Sequence, residues 1–189
     1  METESLLEAL AHPRAYPHEA ATPELIQTHI SVVALAGEWV YKIKKPLDLG
    51  FLDFRELADR RKMCAEEVRL NRRLAPHVYQ GVVALTRNDQ GQLRVGGHGE
   101  PVEYAVQMRR LPDEATLAAR LARGALDAPQ LARVGQRLAR FHEEAARGES
   151  VQQMARFEQV AFNHRENLEQ TVPHIGRCVS AARHEAVRE

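Results

Sequence analysis

Two lysines two residues apart on a strand, with two adjacent glutamates on the helix after it, are the residues of this chain best suited to chemistry. In EWVYKIKK (residues 38–45) a strand's alternation puts Trp39, Tyr41 and Ile43 on one face. Val40, Lys42 and Lys44 share the other. Two ammonium groups on one side of a strand call for an anionic partner, which solvent at a sheet edge, a buried carboxylate or a phosphate would supply. The helical run CAEEVRLNRRL offers Glu66 and Glu67. A lysine on a strand serves a phosphate as a point charge, and a carboxylate on the neighbouring helix holds it in place. Spacing alone leaves a plainer reading open, a solvated strand edge beside a charged helix.

The elements that must position these groups are legible from period and punctuation. Glu4 to Ala11 reads as a short helix, and Pro13, Pro17 and Pro23 as a linker or loop. HISVVALAG and EWVYKIKK predict an antiparallel hairpin turning at Gly37-Glu38 and ending at Pro46. In the loop LDLGFLDF, Gly50 is a hinge and Phe51, Leu52 and Phe54 are apolar anchors. Asp48 and Asp53 flank it, and Asp53 is expected to cap the next helix. Arg55 to Leu74 predicts one long helix with an apolar stripe through Leu57, Met63, Cys64, Val68, Leu70 and Leu74. VVALTR, QLRVGG and VEYAVQMRRLP read as strands, with a turn at Asn88–Gly91. Helices are then predicted over 114–122, 128–146 and 151–170, before a last weak segment after Pro173. Leu131, Val134, Leu138 and Phe141 form an apolar helical face. The order predicts an α+β fold with two lobes.

Composition excludes several classes. The chain has 189 residues, 26 basic and 26 acidic, so it lacks the basic excess of a nucleic-acid binder. Cys64 and Cys178 make neither a disulfide framework nor a metal-ligand spacing. The first residues lack a basic start and a long apolar run, and no stretch reaches the ~18 apolar residues of a membrane helix. A soluble, cytoplasmic protein with no membrane partner is the expectation. No P-loop string, His-Glu-x-x-His or Gly-x-Ser-x-Gly occurs. His98-Gly99-Glu100 and His164-Arg165-Glu166 sound like catalytic motifs but read as structural, the second as part of a helix face with Phe157, Val160, Ala161 and Leu168.

The run THISVVALAGEWVYKIKKPLDLGFLDF followed by RRKMCAEEVRLNRRLAPHVYQGV resembles a bacterial family related to aminoglycoside phosphotransferases. Its members have a protein-kinase-like domain, often followed by a P-loop ATP-binding domain. The resemblance is close over residues 28 to 82 and looser through EYAVQMRRLP and LARVGQRLARFH. It implies a kinase-like small lobe over 1–111, with an antiparallel sheet and one long helix, and the start of a helical large lobe over 112–189. Val40 and Lys42 are similar to the Ala-x-Lys of a kinase third strand. Lys42 is therefore the first choice for the phosphate-binding lysine and Lys44 the runner-up, with Glu67 the helix partner and Glu66 the alternative. Leu70 and Leu74, at +3 and +7 from Glu67, would be core positions of that helix. The strand through Met108 and Arg109 resembles the hinge whose backbone meets adenine.

The same resemblance implies ATP and magnesium as cofactors and a small-molecule hydroxyl as acceptor. The catalytic His-x-Asp-x-x-x-x-Asn and a later metal-binding Asp would have to follow the long helix. The last aspartate of the chain is Asp127, so those groups are expected outside these residues. The functional expectation is the nucleotide-binding half of an ATP-dependent phosphotransferase. The alternatives are a non-catalytic nucleotide-binding or interaction module, or a truncated product without function.

Overall fold

A computed structural model describes residues 3–50, 52–154 and 156–188. The fold is mixed α+β, and the chain divides into two compact units, Met1–Val134 and Gly135–Glu189.

The first unit is built on a six-stranded sheet. The strands are β1 (Glu24–Gln27), β2 (Ser31–Ala36), β3 (Trp39–Lys44), β4 (Tyr79–Arg87), β5 (Leu93–Val95) and β6 (Glu100–Arg109). Their spatial order is β1-β2-β3-β6-β4-β5, with antiparallel neighbours throughout. β2 and β3 form the predicted hairpin, pairing Val33 with Lys42 and Ser31 with Lys44. Gly37 turns it at φ 60°, and a Cβ there would press on the Glu19 carbonyl oxygen at 3.0 Å. β1 lies in the stretch read as leading out of a proline linker. A four-residue edge strand with one half-buried side chain carries too little alternation to announce itself.

One face of the sheet holds the main core. Val32, Ala34, Tyr41, Ile43 and Ala105 pack there against Leu6 and Leu10 of α1 (Thr3–Leu10) and against Ala15, Tyr16 and Ala20 of the proline-punctuated segment. Of the two readings, linker or loop, the segment is a loop that packs on the sheet through Ala15, Tyr16 and Ala20 while most of its other residues are exposed. The hydroxyl of Tyr16 donates to the Leu10 carbonyl oxygen at 2.7 Å, and its ring lies 5.5 Å from that of Tyr41.

The opposite face takes α2 (Leu57–Asn71), through a smaller cluster of Cys64, Val68 and Val106. The buried residues of α2 are Arg60, Cys64 and Val68, while Met63, Leu70 and Leu74 are exposed. This corrects the expected core roles of Leu70 and Leu74. The helix turns a partly charged stripe inward because its ion pairs, described below, satisfy it. Asp53 does not cap α2, which starts four residues later behind Glu56. Its carboxylate instead accepts the Arg55 amide at 3.0 Å and pairs with the Arg55 guanidinium at 2.6 Å. Those hydrogen bonds hold the Asp53 carboxyl near pKa 2. Of the expected loop anchors, Phe54 is buried, Leu52 is partly buried, and Phe51 lies outside the described residues.

After β6 come a 3-10 turn (Asp113–Ala115), α3 (Leu117–Ala122) capped by the Thr116 hydroxyl, and α4 (Ala128–Glu143), which begins in the first unit and ends in the second. Leu131, Val134 and Leu138 of α4 are about half exposed.

The second unit continues with α5 (Glu149–Met154), α6 (Phe157–Thr171), a 3-10 turn (Val172–His174) and α7 (Ala181–Arg188). The single helix expected over 151–170 is two, because Arg156 takes an extended backbone at ψ 141° and starts α6 anew. His164 lies on α6 as expected, but Phe157 and Val160 of its apolar face are exposed. His184 of α7 is buried, with Nε2 3.2 Å from the Leu168 carbonyl oxygen. Among the described residues no helix is long and apolar enough to cross a membrane.

Candidate functional site

β3 lies inside the sheet, between β2 and β6, so its lysines are not at a solvated edge. The face bearing Lys42 and Lys44 is the one α2 covers, and both ammonium groups reach the same carboxylate. Lys42 Nζ lies 2.8 Å from Glu67 Oε1, and Lys44 Nζ donates to Glu67 Oε2. The Lys42 side chain keeps 30% of its surface exposed, against 7% for Lys44 and 13% for Glu67. The Lys44 ammonium also lies 5.8 Å from the ring centroid of Phe54.

Adjacent helical residues point about 100° apart, so only one of Glu66 and Glu67 can face the sheet. It is Glu67. Glu66 turns outward and pairs with Arg69 at 2.7 Å, one turn along the same helix. Burial alone would push the Glu67 carboxyl up. Hydrogen bonds and charge from Lys42 and Lys44 outweigh it and hold the group below its usual 4.5. The triad thus carries two positive charges against one negative, a local excess that suits an anion.

A second ion pair sets the helix that presents Glu67. Arg60, seven residues earlier and so on the same face, meets Glu103 of β6 with Nη2 2.9 Å from Oε2. Its Nη1 donates to the carbonyl oxygens of Phe54 and Arg55, each at 2.7 Å. Arg60 therefore joins the loop before α2, the helix and β6 in one place. Sequence reading missed this pair. The signal available was an arginine in phase with Cys64, Glu67 and Val68, hidden because charged residues are usually assigned to the outer face.

Met108 pairs with Val40 on one side and Tyr79 on the other, and packs beside the Cys64 cluster. It shares the sheet face of Lys42. Arg109 stands at the end of β6 with its guanidinium 4.8 Å from the Trp39 ring centroid and 3.6 Å from Glu38. The amide of Arg109 donates to Val78 O at 2.9 Å and that of Arg110 to Glu38 O at 2.8 Å, so neither N–H is free for a ligand. His98, Gly99 and Glu100 lie at the connection from β5 into β6. Among the described residues no group of three or more His, Cys, Asp or Glu side chains is placed to hold a metal ion.

No family model matches the chain. No solved structure matches it. It is similar to uncharacterized proteins of Mycobacterium tuberculosis (strain H37Rv) and Mycobacterium bovis, 36% identical over 154 residues in each case. The match takes in 82% of this chain and 29% of each relative, so the chain spans less than a third of the length of the curated relatives it matches.

Proposed function

We propose that this chain is the nucleotide-binding part of an ATP-dependent, kinase-like phosphotransferase related to the aminoglycoside phosphotransferases. The observation that supports this reading is the Lys42–Glu67 pair, 2.8 Å long, between the third strand of an antiparallel sheet and the long helix that follows it. A strand-three lysine held by a helix glutamate is how kinases orient ATP phosphates. Lys42 takes that role over Lys44 because its side chain is the one partly open to solvent. The excess positive charge of the triad fits a polyphosphate, and the end of β6 would border the base, with Met108 offering apolar surface.

ATP would supply the γ-phosphoryl group, and a small-molecule hydroxyl would accept it. On this reading the magnesium ligands and the catalytic carboxylate would belong to a His-x-Asp-x-x-x-x-Asn motif and a later Asp, and these 189 residues carry no aspartate after Asp127. For this chain the reading extends to nucleotide binding and phosphate orientation.

Titration of a fluorescent ATP analogue into the full chain tests it. The chain should bind, and Lys42→Ala should weaken binding about tenfold, the loss of one charge-assisted contact. Equal binding by the wild-type and Lys42→Ala chains would sink the assignment.

A further inference from the structure

We infer that Lys44 is a positioning residue that holds Glu67, leaving Lys42 as the one cation of the triad able to move onto a phosphate. The second half of that statement rests on the nucleotide reading above; the first half concerns the protein's own residues.

One carboxylate is divided between two ammonium groups, Lys42 on Oε1 and Lys44 on Oε2. A site with a single lysine faces a conflict. When the lysine turns toward a ligand, its buried carboxylate partner loses its compensating charge, and an unpaired buried charge is expensive. Here the conflict is removed. Lys42 can leave Oε1 while Lys44 still neutralises Glu67. The reverse exchange is disfavoured, since the Lys44 side chain is only 7% exposed and its ammonium lies beside the Phe54 ring.

The other groups around Glu67 cannot replace Lys44. Cys64 of the same helix is a buried neutral thiol, and Asn71 donates to the Glu67 backbone carbonyl, not to its carboxylate. Tyr79 of β4 is also neutral, its hydroxyl pushed up chiefly by burial and then by the Glu67 charge. On β6, Glu103 is matched by Arg60, and Val106 is apolar. Lys42 and Lys44 are therefore the cations paired with this carboxylate among the described residues, and only Lys44 is shielded from water.

The test follows the Glu67 carboxyl by carbon NMR through an acid titration of the full chain without nucleotide. Lys44→Met should move its midpoint up, and by more than Lys42→Met does, because a buried charge is less screened than an exposed one. Lys44→Arg, which keeps the cation, should restore it. The same chains are then titrated with the fluorescent ATP analogue. Lys44→Met should bind about tenfold more weakly, because Lys42 must then stay on Glu67, and Lys44→Arg should recover most of that loss. A Glu67 midpoint that Lys44→Met leaves in place, or moves less than Lys42→Met does, overturns the positioning role. A wild-type chain that binds no nucleotide overturns the functional reading instead, and the nucleotide-free titration still decides which lysine holds Glu67. Should Lys44→Met fail to fold, Lys44→Gln, which keeps a donor to Oε2 without the charge, has the same two outcomes.

Discussion

Arg60 and Glu103 meet out of water, guanidinium to carboxylate at 2.9 Å, with the Arg60 side chain 4% and the Glu103 side chain 1% exposed. Two charges in that setting stabilise little as a pair, but each becomes a liability without the other. Their geometry matters more than their net energy, because Arg60 is two helical turns from Glu67 on the same face of α2 and fixes that helix against β6.

Removing one partner should therefore be costly. Arg60→Ala should destabilise the first unit by about 3–5 kcal/mol, since it strands a buried carboxylate. Replacing both with apolar residues, Arg60→Met with Glu103→Leu, should recover most of the loss. Urea denaturation of the three chains checks both statements, and equal stability of the single and double variants would contradict the pairing.

The Glu67 carboxyl makes stability depend on acid in a definite direction. Its folded pKa lies below the usual 4.5, so the unfolded chain binds the proton more readily. Its contribution is present above about pH 4.5 and is lost as pH falls through the lower folded value. Wild-type stability should thus fall more steeply than that of Glu67→Gln on acidification through this window, measured by denaturant midpoints at stepped pH. Parallel pH profiles for the two chains would show that Glu67 is not paired as described.

The two cysteines should report the fold. Burial pushes the Cys64 thiol up to about 11, while Cys178 is exposed. A thiol-reactive disulfide reagent at pH 8 should modify one cysteine quickly and the second only as the first unit opens, because thiolate character and access both control the rate. Cys64→Ala should abolish the slow phase. Two fast phases in the wild-type chain would contradict the packing of α2 on the sheet.

Gly99 is a position where only glycine fits. Its φ is 131°, and an added Cβ would overlap the carbonyl oxygen of Arg87 and lie 3.0 Å from that carbonyl's carbon. Gly99→Ala should cost about 2–3 kcal/mol, combining backbone strain with the overlap. Gly124→Ala, where φ is 64° and the space is open, should cost only about 1 kcal/mol. Thermal melts of the two variants compare them directly.

The residue string alone determined the β2–β3 hairpin, the long helix after it, and the common face of Lys42 and Lys44. Those features are local: period 2 in WVYKIK, Gly37 at the turn, and a glycine- and proline-free run through α2. The same periodicity could not choose between Glu66 and Glu67, which only the resemblance ordered, and it misplaced Leu70 in the core, because both questions turn on the rotation of α2 about its axis; Leu74, also misplaced, lies beyond the end of the helix at Asn71. That rotation is set by partners distant in sequence, Glu103 on Arg60 and Val106 on Cys64 and Val68. Only the tertiary structure could decide that a charged stripe faces inward, since burial of charge is favourable only when opposite groups from separate elements arrive at hydrogen-bonding distance.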